Sequence, residues 1–248
     1  MSGVTYAFLI TTLAGLSTMI GSIIIFYKKK TDNIITASLA FASGVMLCVS
    51  ITDLVPESIN LLSESFYIIP TILISLIFIV VGIILSMTID KYLPETENNG
   101  NLYRVGIISM LAIILHNIPE GIATFMASNN DLSLGISLAI AIALHNIPEG
   151  ISISVPIYYA TNSRLKALGY TFLSGMSELV GAIITYLFLS KLINPIFMGI
   201  LFSIIAGIMT HISIYELIPT TLNYNNKKLS FISFILGVGV MIVNHFIF

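Results

Sequence analysis

The sequence predicts an all-α integral membrane protein with eight transmembrane helices. Charged residues make up only 9% of the 248 residues, against about 25% in ordinary soluble domains, and the mean hydropathy is +1.01. Apolar segments of the length that a helix needs to cross a bilayer, about 20 residues, follow one another along the chain. Helices are expected because lipid offers no partner for unpaired backbone groups, and the sequence lacks the alternation of a porin.

Charged and turn residues separate the eight predicted spans. Numbered 1 to 8, they cover Val4–Tyr27, Ile34–Thr52, Ser65–Ile89, Val105–Ala127, Leu132–Ile157, Ala167–Ser190, Leu192–Leu217 and Leu229–Ile247. The connections are short, so we expect one polytopic domain over residues 1–248. Span 1 is not expected to be a cleaved signal peptide, since its apolar core is too long and its lysines follow it.

The basic residues predict the orientation and the location. Nine of the ten lie in the connections after spans 1, 3, 5 and 7, and only Lys191 lies on the other side. Since basic loops face the cytoplasm, both termini are expected to be extracytoplasmic. The expected location of the protein is the cell (inner) membrane.

The composition also excludes some classes of protein. The net charge of −2 excludes a nucleic-acid binder that works through a basic surface. Cys48 is the only cysteine, which excludes zinc modules built from cysteines.

Two pairs of segments indicate an inverted repeat. Gly44–Pro56 aligns with Gly207–Pro219, and Leu13–Ile24 aligns with Leu173–Ile184, with six identities in each alignment. Spans 1 and 2 thus resemble spans 6 and 7, five spans later, and an odd offset reverses direction in the membrane. Spans 3 and 8 show no match. Inverted repeats around a midplane site are typical of secondary transporters.

The hexapeptide H-N-I-P-E-G occurs twice, at His116–Gly121 and His145–Gly150, near the middle of spans 4 and 5. A carboxylate at that depth costs about 2.5 to 3.5 kcal/mol on insertion and so indicates function. In each copy the histidine, asparagine and glutamate fall within one narrow sector of a helix. The candidate ligands are His116, Asn117, Glu120, His145, Asn146 and Glu149. Two imidazoles, two amide oxygens and two carboxylates suit a divalent cation, with zinc first and iron, manganese or cadmium behind it.

Two further features lie at the same depth. Pro119 and Pro148 each remove a backbone hydrogen bond, so the pattern predicts broken helices there. Glu178 in span 6 is flanked by small residues that allow close approach of another helix. The alternative for Glu178 is a lone acid bonded to neighbouring hydroxyls.

Five other residues are candidates for the transport pathway. Asp53 and Glu57 lie at the outer end of span 2 and Glu216 at the inner end of span 7, where interfacial charges in water are the alternative. His211 is a transient ligand or a core histidine, and Met46 offers a soft sulfur or packs in the core. His245, near the outer end of span 8, is interpreted as an interfacial residue.

These motifs resemble the ZIP family of zinc/iron-regulated transporters, and most closely its bacterial zinc transporters. The resemblance covers nearly the whole chain and includes H-N-I-P-E-G in span 4, H-N-I-P-E-G-I-S-I-S-V-P in span 5 and S-G-M-S-E in span 6. It implies a 3+2+3 arrangement, metal uptake toward the cytoplasm, and spans 1, 4, 5 and 6 moving against the other four. The connection Lys91–Leu102 is short and lacks histidine, which puts metal sensing by that loop in doubt.

The resemblance also implies a two-metal centre between spans 4, 5 and 6. The first position would use His116, Glu120, His145 and Glu149. The second would use Asn117, Glu120, Asn146, Glu149 and Glu178, with both hexapeptide glutamates bridging. Zinc is then the transported substrate, with iron, manganese and cadmium as further candidates and no catalytic cofactor. The predicted partners are divalent metal ions and the bilayer, and a homodimer is left open.

Three other functions are alternatives to a transporter. An intramembrane zinc hydrolase would carry H-E-x-x-H, and none of the four histidines in this sequence is directly followed by a glutamate. A serine protease is hinted at by G-x-S at Gly15–Ser17 and Gly175–Ser177, but helix packing through small residues explains both. A metal-responsive receptor stays open, although it would not need repeats of opposite orientation.

Overall fold

The computed structural model describes residues 3–27, 31–92, 100–189, 194–224 and 226–247, and every regular element in these ranges is a helix. Eight helices there are long and apolar enough to cross a membrane. We number them α1 Gly3–Phe26, α2 Asp32–Ser63, α3 Ile68–Tyr92, α4 Leu102–Asn130, α5 Leu132–Thr161, α6 Arg164–Leu187, α7 Pro195–Leu222 and α8 Lys227–Ile247. The predicted all-α fold with eight membrane-spanning helices is confirmed.

Helices α2 and α7 extend past the predicted ends of spans 2 and 7. In each, a π-helical segment, Ser50–Leu54 or Ile212–Leu217, leads directly into a further helical segment. Pro56 and Pro219 lie in the first turn of that further segment, where the missing N–H costs little. The predicted boundary between spans 6 and 7, at residues 190 to 192, lies outside the described residues.

The helices that carry the two hexapeptides are continuous. Helix α4 runs through Pro119 and α5 through Pro148 without interruption, so the predicted breaks are wrong. A proline removes one hydrogen bond from the ladder. In helices of 29 and 30 residues, the remaining bonds and the tertiary packing keep the helical path.

The eight helices pack as two groups. Helices α1, α4, α5 and α6, which we call the site helices, pack on one another. Helices α2, α3, α7 and α8, the flanking helices, also pack on one another, and the largest contacts among them join α7 to α2, α8 to α2 and α3 to α7. The two groups meet mainly where α2 contacts α5 and α7 contacts α4. Apolar side chains of α3 such as Leu73 and Ile77 are exposed on the outer surface, which suits contact with lipid.

Helices α3 and α8 contact equivalent positions of their partners, although their sequences show no match. A Cβ atom on Gly82 of α3 would collide with the carbonyl oxygen of Ile204 in α7, and one on Gly237 of α8 with that of Phe41 in α2. Phe41 and Ile204 each lie three residues before the first glycine of an aligned repeat segment. Gly82 and Gly237 therefore mark equivalent points of α3 and α8.

We name the two sides of the bundle after the charge prediction. The inner side carries the ends of α1, α3, α5 and α7, next to the connections rich in lysine and arginine. The outer side carries the connection between α4 and α5, where Asp131 caps α5 by accepting hydrogen bonds from the backbone N–H groups of Ser133 and Leu134. These names describe the molecule, and the orientation in the membrane stays a prediction.

Candidate metal centre

Helices α4 and α5 bring the two hexapeptides face to face in the interior of the site helices. Nε2 of His116 lies 3.1 Å from Oε1 of Glu120 and 3.4 Å from Oε1 of Glu149. Nε2 of His145 lies 2.8 Å from Oε1 of Glu120. Ligand atoms of His116, Glu120 and His145 all lie within 4.8 Å of one another, and all three residues are buried. Two imidazoles and a shared carboxylate thus surround one point between the helices.

The two hexapeptide asparagines are oriented by backbone carbonyls of α1 and α6. Nδ2 of Asn117 donates to the carbonyl oxygen of Ser174 at 3.2 Å, and Nδ2 of Asn146 donates to that of Ala14 at 3.1 Å. A carbonyl oxygen can only accept, so the amide nitrogens must face these two partners. The amide oxygen of each asparagine points away from its carbonyl partner and is free to act as a ligand. Ala14 and Ser174 are equivalent positions of the aligned repeat segments.

Helix α6 contributes Glu178, which is completely buried. Its Oε1 accepts a hydrogen bond of 2.5 Å from Nδ2 of Asn146, so it does not form the lone acid–hydroxyl pair considered as its alternative. A Cβ atom on Gly121 of α4 would collide with the backbone carbonyl of Glu178. The absence of a side chain at Gly121 therefore lets α6 approach close enough to place Glu178 beside the hexapeptides.

The described residues leave many buried polar atoms of this centre without a hydrogen-bond partner. They include Oδ1 of both asparagines, Nδ1 of both histidines, both carboxylate oxygens of Glu149, and Oε2 of Glu120 and Glu178. A buried polar atom without a partner costs about 1 to 3 kcal/mol, and native proteins keep few of them. Most of these atoms are hydrogen-bond acceptors, and their concentration at one point is the arrangement that a cation site would need.

A cavity of about 310 Å³ leads from this centre toward the outer side. Glu120 and His145 lie at its deep end, and Asp53 and Glu57 of α2 also line it. At the outer mouth, Oδ1 of Asp53 lies 2.9 Å from Nδ1 of His245 in α8. The structure thus connects the two predicted outer acids with the hexapeptides through one space.

The other three pathway candidates do not line this cavity. Glu216 lies on the inner side, near Asp90 of α3. Nδ1 of His211 lies 2.9 Å from the hydroxyl of Ser86, and its ring stacks on Tyr215. Met46 is completely buried in the largest apolar cluster. The contacts of His211 and Met46 are those of packed core residues.

Sequence reasoning missed the contribution of α8 to the cavity. Asn244 and His245 both line it, and Nδ2 of Asn244 donates to the carbonyl oxygen of Ala141 in α5 at 3.5 Å. The interpretation of His245 as merely interfacial omits its contact with Asp53. The available signal was two adjacent polar residues near the end of an otherwise apolar segment, which does not tell a mouth residue from an interfacial one.

The chain is similar to known zinc transporters over its whole length. A family model described as ZIP zinc transporter matches residues 94–245. The zinc transporter ZupT of Clostridium perfringens is 42% identical, over 100% of this chain and 98% of the relative. Those of Streptococcus mutans and Oceanobacillus iheyensis are 41% and 39% identical, over 98% of this chain and 97% and 98% of the relatives.

Proposed function

The chain belongs to the ZIP family of zinc transporters, and we propose that it takes up zinc into the cytoplasm through a two-metal centre between α4, α5 and α6. Members of this family are transporters and not enzymes, and the eight apolar helices make the chain a multi-pass protein of the inner membrane. The observation that carries the proposal is the set of buried polar atoms without a hydrogen-bond partner in the two hexapeptides and Glu178, around three residues whose ligand atoms lie within 4.8 Å of one another.

The first metal position would be formed by His116, His145, Glu120 and Glu149. Two ligand atoms of one tetrahedral zinc ion lie about 3.3 Å apart, given zinc–ligand distances of about 2.0 to 2.1 Å. The separations of Nε2 of His116 from Oε1 of Glu120 and of Glu149, 3.1 and 3.4 Å, are close to that value. Glu149 is close to His116 but lies outside the group of three residues whose ligand atoms are all within 4.8 Å of one another, so its side chain would have to move to complete the position.

The second position would be formed by oxygen atoms alone. Its ligands would be Oδ1 of Asn117 and Asn146 and one carboxylate oxygen each from Glu120, Glu149 and Glu178. Because Glu120 and Glu149 also belong to the first position, both hexapeptide glutamates would bridge the two ions. The hydrogen bonds that fix the amide nitrogens on Ala14 and Ser174 support this assignment, because they leave the amide oxygens as the available atoms. They also preorganise both ligands before a metal arrives.

This donor set supports zinc as the main substrate. Imidazole with carboxylate suits zinc, and iron, manganese and cadmium share enough of that chemistry to be further substrates. None of the proposed ligands is a thiolate. A thiolate would bind zinc more tightly and so oppose the release of the ion, which a carrier requires. Assembly as a homodimer stays a prediction.

The proposed direction is from the outer side inward. The cavity joins the outer mouth to the centre, and acids at that mouth raise the local concentration of a divalent cation. The grouping of the helices supports movement of the site helices against the flanking helices, since each group packs chiefly within itself. Together with the predicted inward-facing basic loops, this favours uptake.

The proposal is tested by zinc uptake into liposomes that contain the purified protein and a zinc-sensitive dye. We expect Glu120→Gln and His145→Gln to abolish most of the uptake, while Glu64→Gln, an exposed acid in the α2–α3 connection, leaves it unchanged. Iron, manganese and cadmium are offered in parallel to rank the substrates. Uptake by the two site variants equal to that of the Glu64 control would overturn the proposed centre.

A further inference from the structure

An ion pair on the inner side joins the site helices to the flanking helices. Nη2 of Arg104, at the start of α4, lies 2.6 Å from Oδ1 of Asp90, near the end of α3. The same nitrogen donates to the backbone carbonyl oxygen of Asp90 at 2.8 Å. Both side chains are about a quarter exposed or less, and charge-assisted hydrogen bonds are roughly twice as strong as neutral ones. Arg104 thus holds α4 against α3.

A second polar contact on the inner side joins the same two groups. The hydroxyl of Tyr159, near the end of α5, accepts a hydrogen bond from the backbone N–H of Thr31 at 3.2 Å. It also donates to the backbone carbonyl oxygen of Thr31 at 3.4 Å. Thr31 immediately precedes α2. The inner ends of α4 and α5 are therefore each tied to a flanking helix.

The outer side is arranged differently. There the space between the same two groups of helices is the cavity that reaches Glu120 and His145. Among the described residues, the direct polar contact that crosses it runs from Asn244 to the carbonyl of Ala141 and is long at 3.5 Å. The molecule is thus open between its two helix groups on one side and tied between them on the other.

The repeats show what distinguishes the two mouths. Glu216 is the equivalent of Asp53 in the aligned segments, and Asp90 follows Gly82 by as many residues as His245 follows Gly237. Both mouths therefore carry a pair of ionisable side chains at equivalent positions, Asp53 with His245 and Glu216 with Asp90. Arg104 precedes the first hexapeptide by twelve residues, and the residue twelve before the second is Ser133. Because Ser133 carries no charge, it cannot form an ion pair like that of Arg104 with Asp90. This ion pair therefore distinguishes the inner mouth from the outer one.

We propose that the pairs Arg104–Asp90 and Tyr159–Thr31 form an inner gate, which holds the outward-open arrangement and must separate before a metal ion can leave toward the cytoplasm. This inference rests on the proposed transport function. Separation of the gate requires the site helices to move relative to α2 and α3 at their inner ends. Each pair that is removed shifts the balance toward the inward-open arrangement.

A reporter for inner opening can be placed at Ser109 of α4. Ser109 is completely buried and precedes His116 by seven residues, as Leu138 precedes His145. Leu138 lines the outer cavity, so Ser109 is expected to line its inner equivalent once the gate opens. Ser109→Cys is made in a Cys48→Ala background, since Cys48 is the one native cysteine.

The experiment measures how fast the thiol introduced by Ser109→Cys reacts with a membrane-impermeant maleimide applied to the inner side, in inside-out vesicles without metal. We expect Arg104→Gln and Tyr159→Phe each to speed the reaction about threefold to tenfold, the size of effect that one partly exposed polar pair can have on an equilibrium. Together they should speed it further. Exchanging the charges, Asp90→Arg with Arg104→Asp, should return the rate toward that of the background protein.

Two matched controls remove similar groups within the site helices. Nε of Arg164 in α6 donates to the carbonyl of Ile25 in α1, and the hydroxyl of Tyr103 in α4 bonds that of Tyr170 in α6 at 3.0 Å. Arg164→Gln and Tyr103→Phe should leave the rate within about twofold, because neither contact crosses between the groups. Equal rates in gate and control variants, including no reaction in any of them, would overturn the gate.

The outcome is separable from that of the transport proposal, because labelling needs no metal. Zinc uptake by the unaltered chain with no effect of the gate variants on labelling would overturn the gate alone. Gate-dependent labelling in a chain that takes up no zinc would overturn the transport proposal alone.

Discussion

Gly15 of α1 and Gly175 of α6 face each other so closely that a Cβ atom on either would collide with the carbonyl oxygen of the other. Each glycine directly follows the residue whose carbonyl orients a hexapeptide asparagine, Ala14 for Asn146 and Ser174 for Asn117. The glycine contact therefore fixes the spacing of the two carbonyls. Through them it fixes the two amide oxygens that the second metal position would use.

The first prediction is that Gly15→Ala and Gly175→Ala each destabilise the protein by about 1 to 3 kcal/mol, the usual cost of overpacking. Both should also weaken zinc binding, because α1 and α6 must move apart. Gly169→Ala is the matched control, since Gly169 lies in α6 with open space where a Cβ would be. Unfolding in detergent is the measurement, and a loss of stability in the control equal to that in the other two would contradict the packing explanation.

The second prediction separates the two metal positions. Glu178→Gln keeps the shape of the side chain and an acceptor for Asn146, but it removes a charged ligand from the second position only. Zinc there should weaken by about 1.5 to 3 kcal/mol, a factor of roughly 10 to 150. Zinc at the first position should be little changed. Anomalous diffraction at a zinc concentration that fills both positions in the parent protein is the measurement, and equal occupancy in the variant would refute the assignment.

The third prediction concerns protons. Glu120, Glu149 and Glu178 lie close together in the interior, and three carboxylates in a low dielectric cannot all be ionised without a cation. The metal-free centre should therefore hold at least one proton that zinc displaces. Zinc affinity should then fall about tenfold per unit decrease of pH for each proton released. Calorimetric titration in two buffers of different ionisation enthalpy gives the number, and a value of zero contradicts the prediction.

The fourth prediction distinguishes the two mouths. Asp53→Asn should raise the apparent KM for zinc uptake with a modest change in maximal rate, because an acid at the entrance acts on encounter. The effect should shrink as salt rises, since charges are screened within about 8 to 10 Å near physiological ionic strength. Glu216→Gln should instead slow turnover with little change in KM, because Glu216 can act only after the inner side opens.

Initial uptake rates of both variants at two salt concentrations test that prediction. Glu64→Gln is the control, an exposed acid on the outer side that does not line the cavity. An unchanged KM in Asp53→Asn at low salt would count against the proposed path. So would an effect of Glu216→Gln confined to KM.

The hexapeptides could be placed from the sequence because three ordinary rules agree on them. The length of the apolar segments predicted the membrane-spanning helices. The position of Glu120 and Glu149 near the middle of these segments makes their insertion into the membrane costly. The spacing of four residues places His116 and Glu120 on one face of a helix. The structure brings those faces together. The roles of these residues as metal ligands stay predictions.

Other features could not be predicted because they depend on contacts between distant segments. His245 looks like any interfacial histidine until α8 is packed on α2, which brings it to Asp53. In the sequence, Arg104 and Asp90 are two charged residues that flank one connection. Their ion pair is visible only in the structure, where α3 and α4 lie side by side. The equivalence of α3 and α8 rests on one glycine in each, and lipid-facing apolar residues exchange too freely to preserve a visible alignment.

The three helices that build the metal centre have consequences for how the chain enters the membrane. Helices α4, α5 and α6 are the least hydrophobic of the eight described spans, and α3 just before them is the most hydrophobic. Each buried ionisable group near a helix centre adds an insertion penalty of about 2.5 to 3.5 kcal/mol. During biogenesis we expect α3 to partition into lipid by itself, whereas α4 and α5 leave the translocon as a hairpin whose polar faces already cover each other.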